Sequence, residues 1–116
     1  MRHLRVPSKL SKGWLAGPWE SALPVSLGYA AEGIDEPHVH PHLTEIYLVA
    51  RGTSRLRVGL ETIELSAGSV VIVDAGEPHT FLASSPDYLH FVLHVAPDSR
   101  HPDVRKELID RSELGL

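Results

Sequence analysis

The sequence predicts an all-β domain whose sheets close into a sandwich or barrel. Three observations carry this. Short runs in which apolar and polar residues alternate recur along the chain, as half-buried strands require. Glycine and proline turns separate these runs at short intervals, the cue for strands that fold back on one another. The 116 residues, 42% of them hydrophobic, suffice for one core and not for two. With no cysteine, that core forms without disulfides and the site without thiol chemistry.

Residues 1–22 hold Pro7, Gly13, Gly17 and Pro18 together with Trp14 and Trp19, which argues against a long helix. The segment reads as an arm laid across the domain or along a partner, with the indoles as apolar anchors. From residue 23 to about 98 the strands follow. Leu23, Val25, Leu27 and Tyr29 alternate on one face of a first strand.

The next stretch, Gly33 to Gly52, carries the chemistry. His38 and His40 flank Val39, so on an extended strand both imidazoles leave the same face and can share one metal ion. Glu45 lies at an odd offset from them and would point away on a continuous strand. Pro41 and the polar passage behind it supply a bend. Glu45 then opens a new strand, Thr44 to Val49, and can point back at the histidines. His42, on the bend, can replace His40 as a ligand, support the ligands from behind, or stand in solvent.

Ser54 to Val58 places Leu56 and Val58 on one face and Arg55 and Arg57 on the other. Outward arginines are simply solvated; inward ones would form an anion subsite. Glu61 to Leu65 is another alternating strand, closed by a turn at Gly68. Ser69 to Val73 is a β-branched run ending in the turn Asp74-Ala75-Gly76-Glu77-Pro78, and His79 follows directly. Three histidines and one glutamate, His38, His40, His79 and Glu45, make a mixed N/O set. It suits a divalent transition metal such as Fe, Mn, Ni, Co, Cu or Zn and leaves positions open for water or substrate.

Tyr88 to Ala96 is the last strand, with Leu89, Phe91, Leu93 and Val95 on one face and Tyr88, His90, Val92 and His94 on the other. Both faces are substantially apolar, so one is expected against the barrel interior and the other against an arm or a second subunit. If the histidine face looks inward, His90 and His94 become candidates for proton transfer or for supporting the ligands. Tyr47 and Phe81, two residues beyond Glu45 and His79, are expected in the cavity with them. In the tail, residues 99–116, the spacing of Val104, Leu108 and Ile109 predicts a short surface helix over Asp103 to Arg111.

The two ligand-bearing stretches resemble the paired motifs of the cupin superfamily. His38, His40, Glu45 and Gly52 match the first motif; Gly68, Gly76 and His79 match the second. Gly33 stands one position closer to His38 than the usual motif glycine, Asp74 replaces a proline, and Ala83 sits where an asparagine is common. None of these removes a ligand. The resemblance implies a jelly-roll β-barrel whose lumen holds the metal on these four residues, and commonly a homodimer. It also implies dioxygenases, isomerases or decarboxylases of small oxygenated metabolites. Tyr47, His90 and His94, by their strand faces and their chemistry, are the candidate catalytic residues. The alternative is a barrel that binds or senses a sugar or carboxylate without turning it over.

A net charge of -4 with scattered basic residues gives no reason to expect nucleic acid as a partner. No run approaches a membrane-spanning length, and the start lacks an apolar leader core, so a cytoplasmic setting is expected.

Overall fold

The computed structural model describes residues 1–9, 11–98 and 100–116 and consists of two five-stranded sheets. The strands, in chain order, are β1 (Lys12–Ala16), β2 (Ser26–Ala30), β3 (His38–Val39), β4 (Thr44–Arg51), β5 (Thr53–Val58), β6 (Glu61–Ser66), β7 (Val70–Val73), β8 (His79–Ser84), β9 (Leu89–Val95) and β10 (Glu107–Leu108). One sheet has the order β1-β2-β9-β4-β7 and the other β10-β3-β8-β5-β6, with antiparallel pairing throughout. The order is not sequential. Each sheet therefore recruits strands from both halves of the chain, which is what brings the two motifs together.

Strand alternation sets the core. Tyr47 and Val49 from β4, Leu56 from β5, Leu65 from β6, Val73 from β7, Phe81 from β8 and Val92 from β9 interlock with Tyr88 between the sheets. These are the inward positions of each strand, and their partners in the alternation face out. The turn from β4 into β5 depends on Gly52. Its φ of 73° lies in the left-handed region, and a Cβ there would come within 2.6 Å of the Tyr88 backbone. Gly76, φ 86°, serves the turn ahead of His79, where its N–H is held by the His40 carbonyl at 2.9 Å.

The N-terminal segment joins the first sheet through β1, which pairs with β2. The arginines of β5 face outward: Arg55 meets Glu64 at 3.0 Å, and Arg57 donates to the Leu114 carbonyl and to the Thr62 hydroxyl. Inward places on β5 belong to Ser54 and Leu56, so no anion subsite forms there.

The short C-terminal helix exists as one 3-10 turn, Arg111–Leu114, later than the Asp103–Arg111 span its apolar spacing suggested. Asp110 caps it by accepting from the Ser112 N–H, and Leu114 is its one buried residue. The stretch before it is extended instead. β10 pairs with β3, Glu107 opposite Val39 and Leu108 opposite His38, on the edge of β3 that β8 leaves unpaired. Val104 and Leu108 stay exposed, so the apparent helical stripe has no surface to cover.

Candidate metal centre

Two cross-strand pairs build the site. His38 on β3 lies directly opposite His79 on β8, and Glu45 on β4 lies directly opposite His94 on β9. Residues opposite one another in an antiparallel pair send their side chains to the same face. The first pair comes from one sheet and the second from the other, so they meet in the lumen. His40, beyond the end of β3, completes the cluster. The three predicted histidine ligands surround Glu45, but in two groups that share it: His38 and His79 with Glu45, and His40 and His94 with Glu45, the ligand atoms of each group lying within 4.8 Å of one another.

The contacts centre on the Glu45 carboxylate. Its Oε1 lies 3.0 Å from His79 Nε2, 3.2 Å from His40 Nε2 and 3.8 Å from His38 Nε2. Its Oε2 accepts from the Tyr47 hydroxyl at 2.7 Å and pairs with His94 Nε2 at 3.1 Å. Glu45, His40 and His79 are buried, and His38 is half-buried.

The outer nitrogens decide what faces inward. His38 Nδ1 pairs with the Glu36 carbonyl at 2.6 Å, His40 Nδ1 with the Arg105 carbonyl at 3.0 Å, and His79 Nδ1 with the Glu77 carbonyl at 3.0 Å. A carbonyl can only accept, so each ring carries its proton on Nδ1. In the neutral form each Nε2 is then a bare lone pair. Three lone pairs therefore look at Glu45 Oε1, which is itself buried and receives no hydrogen bond of acceptable direction. Four electron-pair donors meeting in a dry pocket repel one another unless a cation lies between them. The 3.0–3.8 Å from Glu45 Oε1 to the three Nε2 atoms suit ligands that each stand about 2.0–2.2 Å from an ion beside Oε1, and Nδ1 bonding to backbone carbonyls is the usual support of metal-binding histidines.

Burial alone would raise the Glu45 carboxyl; hydrogen bonds from the His38, His79 and His94 rings, when these are protonated at Nε2, outweigh it and hold the group below the usual carboxylate range. Burial, and then the charge on Glu45, push the Tyr47 phenol well above its ordinary value, so it stays a neutral donor to Oε2. Burial also lowers His40 and takes His90 from the ordinary 6.5 down to about 4.

A cavity of about 780 Å³ opens from the cluster. Tyr47, Phe81, His90, Val92 and His94 line it, so the histidine face of β9 is the inward one. His90 stacks on Phe81 at 5.0 Å between ring centres, and its Nδ1 shares a 2.7 Å hydrogen bond with the Tyr88 hydroxyl. His42 does not join the cluster: it is exposed on the bend, 3.8 Å from Asp103. Sequence reasoning missed the backbone support of His40, which comes from Arg105, sixty-five residues away. No local signal marks a carbonyl for that role.

The family model for the cupin domain matches residues 27–103. The chain belongs to the cupin family. This cupin is 36% identical over 72 residues to an uncharacterized protein of Streptomyces coelicolor, a match covering 61% of this chain and 69% of the other. Its fold is similar to that of an uncharacterized conserved protein of Klebsiella pneumoniae with a double-stranded β-helix domain, at TM-score 0.57 and 23% identity, covering 95% of this chain and 84% of that one. It is also similar to Pac13, a nucleoside dehydratase, a variant of which, from Streptomyces, has been solved with uridine. That likeness has TM-score 0.62 and 18% identity, covering 95% of this chain and 90% of the other. At such identities the structures speak for the jelly-roll fold. Among the described residues no helix is long and apolar enough to cross a membrane.

Proposed function

We propose that this cupin is a metal-dependent enzyme acting on a small oxygenated molecule, with His38, His40, Glu45 and His79 as the ligands. The observation that carries the reading is the set of three Nδ1-protonated rings aimed at an unsatisfied, buried Glu45 Oε1. A divalent transition metal bound there would supply Lewis acidity, or redox chemistry toward O₂ if it is Fe, Cu or Ni.

The remaining residues have distinct tasks. Tyr47 and His94 fix Glu45 through Oε2 and so set the direction of Oε1. Phe81 and Val92 exclude water from the inner wall of the cavity. His90, held neutral and facing the lumen, can donate to or accept from a bound molecule without adding charge. Isomerase, decarboxylase and dioxygenase chemistry all fit this arrangement, and the fold does not choose among them. A binding barrel would have the same ligands and no turnover.

The test is elemental analysis of protein purified without a tag or added metal, beside Glu45→Ala. Near-stoichiometric metal in the wild type, lost in the variant, is the expected result. No metal after reconstitution would overturn the reading. O₂ consumption in a screen of enediols and diketones separates dioxygenase chemistry from the rest.

We propose further that the chain forms a homodimer through the outer face of the β1-β2-β9-β4-β7 sheet. Ile46, Leu48, Phe91 and Leu93 are only half covered there, and Val70 and Ile72 on the edge strand β7 are 59% and 58% exposed. Contiguous apolar surface of this kind marks a contact site more often than a solvated face.

A further inference from the structure

Two tryptophans stand at the cavity wall and are only partly covered. Trp14 is 51% exposed and Trp19 59%, with their rings edge to face at 6.0 Å, and both line the cavity that opens from the histidine cluster. Trp14 points inward by register. It lies opposite Gly28, which in turn lies opposite Val92, a lumenal residue. A Cβ on Gly28 would come within 2.9 Å of the indole, so the glycine leaves room for the ring to lie over the β2 backbone. The Trp14 ring also meets His94 at 4.7 Å, and His94 meets Glu45. An exposed aromatic ledge therefore runs directly into the metal site.

Lys12 shares the inward face of β1 with Trp14, two residues earlier, and lines the same cavity. Its ammonium makes no ion pair within 4.0 Å among the described residues, though its charge acts on Glu36, and Arg100, another lining residue, makes none either. Lys106, by contrast, is paired with Glu36, and Glu32 is the acidic lining residue that remains unpaired. The mouth thus has a small cationic excess beside an indole face. The cavity's volume of about 780 Å³ far exceeds what a two-carbon chelate would fill and leaves room for a ring-bearing ligand.

We propose that the lumen has a second recognition element, Trp14 with Lys12, which takes the ring and the anionic group of a ring-bearing carboxylate while the opposite end of the molecule reaches the metal. This deepens the enzyme reading and rests on it for the metal end. Ring stacking on an indole and attraction to an exposed ammonium are each modest alone. Together with a chelated end they select a molecule of defined length.

Titration calorimetry on zinc-loaded protein tests the proposal with three probes: 3,4-dihydroxybenzoate, catechol and glycolate. The first has ring, vicinal diol and carboxylate; the second lacks the carboxylate; the third lacks the ring. Trp14→Ala is expected to weaken both ring-bearing probes at least tenfold and leave glycolate within twofold. Lys12→Ala is expected to weaken 3,4-dihydroxybenzoate and not catechol. Both tryptophans of the chain lie at the cavity, so emission should change when the ring probes bind. Failure of 3,4-dihydroxybenzoate to bind, or equal losses for all three probes in Trp14→Ala, would overturn it. Zinc content measured on the same samples separates the two readings. Ring binding that depends on Trp14 and Lys12 in protein that holds no zinc would uphold this subsite and refute the metal site; zinc without ring binding would do the reverse.

Discussion

His90 makes stability depend on pH in a way that can be calculated. It is buried against Phe81 and Tyr47, and burial lowers it from the ordinary 6.5 to about 4. The unfolded chain therefore takes up this proton first as pH falls. The contribution is fully present above pH 6.5, is lost as pH falls from 6.5 toward 4, and is level below that. The whole step is worth about 3 kcal/mol, because a pKa difference of one between the folded and unfolded states corresponds to about 1.36 kcal/mol. Between pH 7.5 and 4.5 the expected loss is about 2–3 kcal/mol. In urea, with an m-value of about 1.5 kcal/mol/M, that lowers the midpoint by about 1–2 M.

His90→Gln removes the titrating group and keeps a partner for the Tyr88 hydroxyl. The comparison is made by urea unfolding with chelator present, so that loss of metal in acid does not enter. Glu45, whose charge acts on His90, and His40 are present in both proteins, so the difference between the two pH profiles reports chiefly on His90. The variant should lose about 2–3 kcal/mol less than the wild type over this range. Parallel profiles, or a His90 ring signal in NMR that titrates near 6.5, would refute the inference that this imidazole is dry.

Other outcomes follow from the same geometry. Metal removal should lower the melting temperature of the wild type and not of Glu45→Ala, since a ligand at a hundredfold its Kd stabilises by about 2.7 kcal/mol; identical shifts in both would count against the ligand set. Tyr47→Phe, which deletes the 2.7 Å donation to Glu45 Oε2, should weaken metal affinity about 10- to 100-fold with the fold intact, measured by competition with a chromogenic chelator. Leu56→Ala empties a fully buried position of the core and should cost about 2–5 kcal/mol in urea unfolding, with metal stoichiometry retained. The double substitution Val70→Lys and Ile72→Lys should yield a monomer on sizing with light scattering; an unchanged mass would place any dimer contact elsewhere.

Which residues could be ligands, and roughly where the strands lie, is legible in the chain itself. His38 and His40 share a face because strand side chains alternate, and Pro41 announces the bend that returns Glu45 to them. Such signals are local. They depend on periodicity and on residues with unusual backbone preferences, both of which are written along a short stretch. What depends on partners distant in sequence emerges only once the chain is folded. The non-sequential strand order is what turns His90 and His94 of β9 inward, because both of its faces are apolar and periodicity is symmetric between them. The pairing of β10 with β3 is what makes the tail extended, since an exposed apolar stripe of helical spacing is no guide where an unpaired strand edge offers hydrogen bonds. The same pairing brings the Arg105 carbonyl to His40, and with it the proton position that leaves Nε2 free to face Glu45.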